Sequence, residues 1–146
     1  LLKGMPEDKI IDTSINLNVP AYIENDYLPQ AELRLEMYKR LAECKTLDEL
    51  EILKDEIVDR FGPFSTTFQN LIELTKLKII SMPLMIKRII GTNKRIECTF
   101  DSESPILSDN KTNNVLVFNP QEDNSILFLQ DTFSTIISNL KLDEAS

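Results

Sequence analysis

The chain has 146 residues of which 42% are apolar, enough to bury a sizeable core as a single domain without disulfides or a structural metal. Its formal net charge of -8 argues against binding to a phosphate backbone, which rests on Lys and Arg displacing counterions, and points to basic partners instead. Histidine is absent, and Cys44 and Cys98 stand far apart with no ligand spacing, so no zinc site is expected and the thiols read as reduced core residues of a cytoplasmic protein.

Residues 1–14 read as a linker or the frayed end of a preceding segment, and the missing initiator methionine suggests a piece of something longer. No signal-peptide layout opens the chain, and no apolar run approaches the roughly 20 residues that cross a bilayer. From about Ile11 to Val19 apolar and polar residues alternate, which predicts a strand. Residues 20–29 are bracketed by Pro20 and Pro29, so an extended arm with a turn at Asn25 and Asp26 is expected, pinned by Tyr22, Ile23, Tyr27 and Leu28. A first helix follows from Gln30 to about Cys44, with one stripe of Ala31, Leu35, Tyr38 and Ala42 and another of Leu33, Met37 and Leu41, predicting a broad buried face.

After a short link at Lys45, residues 46–62 carry a complete set of helix signals. Thr46 and Glu49 have the spacing of a reciprocal capping box, Gly62 suits a left-handed helix end, and Pro63 cannot continue the helix. Leu50, Leu53, Ile57 and Phe61 share one face and should meet a core, while Glu49, Glu56, Asp59 and Arg60 are expected opposite, with Ile52 near the middle. Six acids against Lys54 and Arg60 make this segment the source of half the net charge. Its back is either a solvated face with one stray aliphatic or a docking surface whose field steers a basic partner.

Ser65 is the expected cap of a third helix through about Ser81, burying Phe68, Leu71, Ile72, Leu74 and Leu77 and ended by Pro83. Beyond Pro83, residues 84–90, 95–100, 115–119 and 126–129 are short and rich in Ile, Val, Leu and Phe, which predicts strands separated by turns and a polar loop at 101–114. Asp131 is the expected cap of a last helix bearing Phe133, Ile136, Ile137 and Leu140. Helices followed by strands predict an α+β fold: an N-terminal strand and extended arm, three helices, then a small antiparallel-rich sheet and a C-terminal helix. Residues 15–141 are expected to form one domain and 142–146 a disordered tail.

There is no G-x-S-x-G elbow, phosphate loop or dinucleotide fingerprint, and only three glycines are available, so no cofactor is expected. Glu56 and Asp59 lie one turn apart, but an acid/base pair on an exposed helix back lacks a cause for a raised pKa, so docking is favoured over a small carboxylate-dependent enzyme. Lys76, Lys78, Lys87 and Arg88 are the one basic concentration, read as solvated or ion-paired rather than as a nucleic-acid site. Tyr22 and Tyr27 accompany Glu24 and Asp26, which suits packing better than base stacking.

Asp26 to Pro29, the Arg34 to Ala42 helix with Tyr38, Lys39 and Arg40, the Leu47 to Leu50 turn, Leu53 to Pro63 with its Asp59, Arg60, Phe61, Gly62 stop, and Leu71 with Leu77 and Lys78 together resemble the C-terminal domain of the bacterial transcription-repair coupling factor. The likeness is carried by residues 15 to 80, and 84–146 match in layout alone. The resemblance implies a non-catalytic regulatory module of an ATP-dependent DNA translocase in transcription-coupled repair. It implies docking on a UvrB-like N-terminal module of the same protein, so masking the surface that binds UvrA, with RNA polymerase engaged elsewhere in the full-length protein. Carried over by position, Glu56, Asp59 and Arg60 are the implied docking residues. Ile52 and Glu49 are added to them on the physical reading of the helix back, and composition leaves neither nucleic acid nor membrane as an expected direct partner. The competing reading is a stand-alone acidic docking module.

Overall fold

The computed structural model describes residues 11–106, 114–121 and 123–140. Its elements are β1 (Ser14–Leu17), α1 (Ala31–Glu43), α2 (Leu47–Phe61), α3 (Thr66–Ser81), β2 (Ile86–Gly91), β3 (Ile96–Phe100), β4 (Val115–Phe118) and α4 (Ser125–Leu140). The architecture is α+β, with four helices and one four-stranded mixed sheet among the described residues. The chain divides into two compact units, one formed by Val19–Ile79 and the other by the described residues up to Asn18 and from Ile80 onward. The division falls within α3. Of the linker expected at 1–14, residues 1–10 lie outside the described residues and Ser14 already belongs to β1; the tail at 142–146 also lies outside them.

The Val19–Ile79 unit is an arm with three helices around one apolar core of Ile23, Leu28, Met37, Leu53, Ile57 and Phe68, among others. The arm runs extended until Asn25, where a turn closes with Tyr27 N and Leu28 N donating to the Glu24 carbonyl at 3.2 and 3.0 Å. Leu28 and Ile23 are buried as the sequence predicts, whereas Tyr22 remains half exposed. Backbone groups that prolines and turns leave without a ladder find side chains instead: the Asn70 amide donates to the Pro20 carbonyl at 2.8 Å, and Ile23 N donates to the Tyr38 hydroxyl at 2.8 Å. Arg34 closes the arm onto α1 by donating to the Leu28 and Pro29 carbonyls at 2.8 and 2.9 Å.

The expected broad buried face of α1 is corrected. Met37 and Leu41 are buried, but Leu35 is 70% exposed, Tyr38 is exposed, and Ala31 and Ala42 lie on that same open side. One stripe of a helix suffices to meet one neighbouring layer, and Tyr38 is held through its hydroxyl rather than by enclosure. The Ser65 cap of α3 is present, with Phe68 N donating to Ser65 Oγ at 3.3 Å, and the helix ends at Ser81. Leu71 and Leu74 are half-buried beside the buried Phe68, Ile72 and Leu77.

The second unit holds the sheet, in the order β1-β2-β3-β4. β1 runs parallel to β2, with Ser14 opposite Arg88, while β2, β3 and β4 are antiparallel neighbours. A parallel pair demands a long crossover, here the whole of residues 18–85. Thr13 is already fixed ahead of β1, its buried hydroxyl donating to the Ile86 carbonyl at 2.8 Å. Between Ile86 and Arg88 the β2–β3 register shifts by a bulge, so Ile86 and Ile89, three apart, both face inward. In β3 the alternation is regular, with Ile96, Cys98 and Phe100 buried. Burial pushes the Cys98 thiol up to about 12, in keeping with the core role expected of it. Cys44 is half-buried and its thiol is also pushed up by burial, then by the Glu49 carboxylate.

At the C-terminal end the expectation of a strand at 126–129 fails. Those residues are the first turns of α4, whose start is marked by Asn124 Oδ1 accepting from Leu127 N at 3.1 Å, so Asp131 is an interior residue and not the cap. A short apolar run has no periodicity of its own, and its length is what helix and strand have in common. Ile126, Leu129 and Phe133 form the buried face of α4, and Phe118 of β4 meets Phe128 and Phe133 edge to face at 6.1 and 6.3 Å. Strands expected at 84–90, 95–100 and 115–119 are present with shifted ends, the first because Met82–Leu84 form a 3-10 turn and Met85 is left-handed at φ 54°.

Candidate functional site on the second helix

α2 is fixed at both ends by the signals its sequence carries. Thr46 Oγ1 accepts from Glu49 N at 3.1 Å. The reciprocal half of the capping box is displaced by one residue: Glu49 Oε1 accepts from Lys45 N at 2.8 Å rather than from Thr46 N. With Thr46 extended at φ -131°, the amide of Lys45 is the orphan donor within reach. At the other end Gly62 N donates to the Val58 carbonyl at 2.8 Å, and Gly62 adopts φ 92° and ψ -176°, a backbone region essentially confined to glycine rather than the left-handed helical one expected. The Gly62 carbonyl accepts from the Tyr27 hydroxyl at 2.6 Å, which ties the arm to the end of the helix.

Leu50, Leu53 and Ile57 are buried and Phe61 is half-buried, as the apolar stripe predicts. The polar residues do not share one face, however. At 100° per residue Asp48, Ile52, Asp55 and Asp59 point away from the core, whereas Glu49, Glu56 and Arg60 occupy a flank. Ile52 is 68% exposed, and Asp59 is exposed with no hydrogen bond or ion pair among the described residues. Glu49, Glu56, Asp59 and Arg60, expected together opposite the core, are therefore split between an outward row and a flank.

On that flank Glu56 is engaged from two sides. Arg40 of α1 donates through Nη1 to Glu56 Oε2 at 2.6 Å and through Nη2 to Oε1 at 2.8 Å, a fork-to-fork pair, and Arg60 donates to the same Oε2 at 3.3 Å. The Arg60 guanidinium also lies 4.8 Å over the ring of Phe61. The Arg60 contact follows from a spacing of four along one helix, whereas nothing in the sequence marks Arg40 as a partner. Sixteen residues separate Arg40 from Glu56, so only the packing of α1 beside α2 brings them together.

The Arg40 hydrogen bonds, then its charge and the Arg60 contacts, hold the Glu56 carboxyl at about 2 against an ordinary value of 4.5, and the same pair raises the Arg40 guanidinium. A general acid needs the opposite shift, so Glu56 does not fit the acid role weighed for it. Because the folded value is the lower one, this pair adds stability above about pH 4.5, and that addition is lost as pH falls through about 2. The side-chain carboxyl carbon of Glu56, followed by NMR, should titrate near 2 and not near 4.5; an ordinary midpoint would mean that the fork does not persist in solution.

Lys76 and Lys78 belong to the helical unit and Lys87 and Arg88 to the sheet unit. Tyr27 is engaged in packing, 5.1 Å from the Phe68 ring. Among the described residues no group of three or more His, Cys, Asp or Glu could hold a metal ion, and no helix is long and apolar enough to cross a membrane.

Comparison with known proteins bears on the whole chain. Residues 17–111 match the model of the TRCF domain family. The transcription-repair-coupling factor of Haemophilus influenzae is 41% identical over 75 residues, 51% of this chain and 6% of that protein. Its counterpart in Escherichia coli is 34% identical over 82 residues, 56% of this chain and 7% of that protein. The chain thus spans less than a tenth of the length of these relatives. In fold it is similar to a crystal structure of the C-terminal domain of transcription-repair coupling factor, with a TM-score of 0.80 and 20% identity, covering 94% of this chain and 98% of that one. The likeness therefore extends well past residue 80, where the sequence motifs that carry the resemblance stop.

Proposed function

The chain belongs to the TRCF domain family, and from that premise we propose that it is a non-catalytic regulatory domain that works by docking. In this reading it is part of an ATP-dependent DNA translocase of the cytoplasm that acts in transcription-coupled repair, where RNA polymerase and UvrA are partners of the full-length protein. The domain itself holds a UvrB-like N-terminal module of the same polypeptide and so masks the surface that UvrA would bind. It needs no cofactor and touches neither nucleic acid nor membrane directly.

The observation that carries this reading is the composition of α2: an ordered carboxylate–guanidinium group at Glu56 and Arg60 stands beside Asp59, unpaired among the described residues, and the exposed Ile52. A protein interface combines exposed aliphatic side chains with fixed charges, and α2 offers both side by side. The excess of acid on α2 fits a basic partner surface and would hasten the encounter with it.

Replacing Glu56 and Asp59 together by alanine should weaken binding of the separate UvrB-like module by roughly tenfold or more. In the full-length protein the same change should increase UvrA binding. Affinity of the unmodified pair should also decline as salt is raised. Undiminished binding of the double variant overturns the assignment of this helix.

A further inference from the structure

The geometry around Glu56 points beyond the residues of α2. We infer that Arg40 of α1 is a positioning residue of the docking surface, taking both oxygens of Glu56 in its fork so that Glu56 in turn holds Arg60, which with Asp59 is what the partner meets. This inference rests on the docking reading above and deepens it.

Each step follows from the distances. Glu56 Oε1 has Arg40 Nη2 at 2.8 Å, and Oε2 is shared between Arg40 Nη1 at 2.6 Å and Arg60 Nη1 at 3.3 Å. The carboxylate is thus closed in on both oxygens and carries one negative charge between two positive ones. A basic partner approaching it would meet a group of net positive charge, so Glu56 is poorly placed to be the anion that receives the partner. Of Glu56 and Asp59, it is Asp59 that stays open, exposed and without a partner among the described residues. Arg60 gives only Nη1 to Glu56 and rests on the Phe61 ring, and its other N–H donors make no hydrogen bond among the described residues. The surface offered is then a fixed guanidinium edge next to a free carboxylate. Its complement is a partner patch with an acceptor beside a basic side chain, and not a uniformly basic one.

Arg40 earns this assignment because its side chain, only about a third exposed at 35%, reaches across from another helix. Its neighbour Lys39 has the same charge, is exposed, and makes no hydrogen bond or ion pair among the described residues. The two arginine functions, charge and fork, can therefore be separated.

The test reads UvrA binding to the full-length protein, where weaker docking means more UvrA bound, together with the carboxyl titration of Glu56 in the chain itself. Arg40→Gln should raise UvrA binding roughly tenfold, about as much as Glu56→Gln, and the two changes combined should do no more than either alone. Lys39→Gln, an equal loss of positive charge, should leave binding unchanged. This contrast is sharp because a field effect alone would make both variants dock more tightly on a basic partner. Arg40→Lys keeps the charge without the fork and should raise UvrA binding by an intermediate factor, with the Glu56 carboxyl titrating higher than in the native chain.

Arg40→Gln behaving like Lys39→Gln, or Arg40→Lys behaving like the native protein, overturns the positioning role. If instead the Glu56 and Asp59 alanine changes also fail to alter UvrA binding, the docking reading itself falls and takes the Arg40 role with it, while the low Glu56 titration remains.

Discussion

Phe68→Ala is expected to destabilise the Val19–Ile79 unit by about 3 to 5 kcal/mol, the range for an aromatic ring removed from a core that cannot collapse around the space. Phe68 is fully buried, its ring 5.1 Å from Tyr27 in a T-shaped contact at 85° and 4.9 Å from Phe64. These rings gather the arm, the start of α3 and the link between α2 and α3, and Tyr27 is itself bonded to the Gly62 carbonyl. Loss of Phe68 would therefore loosen the residues that fix the end of α2 as well as the core. Urea unfolding followed by helical circular dichroism should show a lower midpoint with an unchanged slope. Phe68→Leu, which refills most of the space, should lose much less; a loss below about 1 kcal/mol for the alanine variant would show that the core rearranges freely.

Gly91→Ala should cost about 3 to 5 kcal/mol, combining backbone strain with overpacking. Gly91 closes β2 at φ 155°, and a Cβ placed on it would stand 2.2 Å from the Arg95 carbonyl oxygen and 2.7 Å from Ile96 Cα. That carbonyl cannot move away without losing the hydrogen bond it accepts from Thr92 N at 2.9 Å, which closes the β2–β3 hairpin. Gly62→Ala is the natural comparison, since Gly62 also has a positive φ of 92° but nothing within 4 Å of an added Cβ. Its cost should be the conformational part alone, about 1 to 3 kcal/mol. The same unfolding measurement separates them, and a Gly91 variant no worse than the Gly62 variant would refute the steric argument.

Much of this molecule could be read from local order in the chain. The cap of α2 at Thr46, its stop at Gly62 and its apolar stripe through Leu50, Leu53 and Ile57 all stand where the sequence places them, because each depends on residues within one or two turns. The same holds for Ser65 at the start of α3 and for its end at Ser81. Local order is ambiguous where two patterns compete. The apolar run at 126–129 is equally short for strand and helix, and Asn124, not Asp131, supplied the decisive cap. On α1 two adjoining apolar stripes were present, and nothing within the helix indicated that the layer beside it would cover Met37 and Leu41 and leave Leu35 bare.

The candidate site divides in the same way. Sequence alone determined that α2 is a helix with a charged back bearing Glu56, Asp59, Arg60 and Ile52, because a 3.6-residue period assigns faces without reference to anything else. Tertiary structure decided which of those charges are free. Arg40 approaches Glu56 from 16 residues away, and no periodicity encodes a contact that depends on how two helices pack. Once the fork forms, Glu56 turns from an exposed anion into the bound centre of a three-residue group, and Asp59 is left as the open carboxylate. The parallel pairing of β1 with β2 is of the same kind, since hydrogen bonds between strands 70 residues or more apart along the chain, such as Ser14 and Arg88, are set by the crossover that joins them.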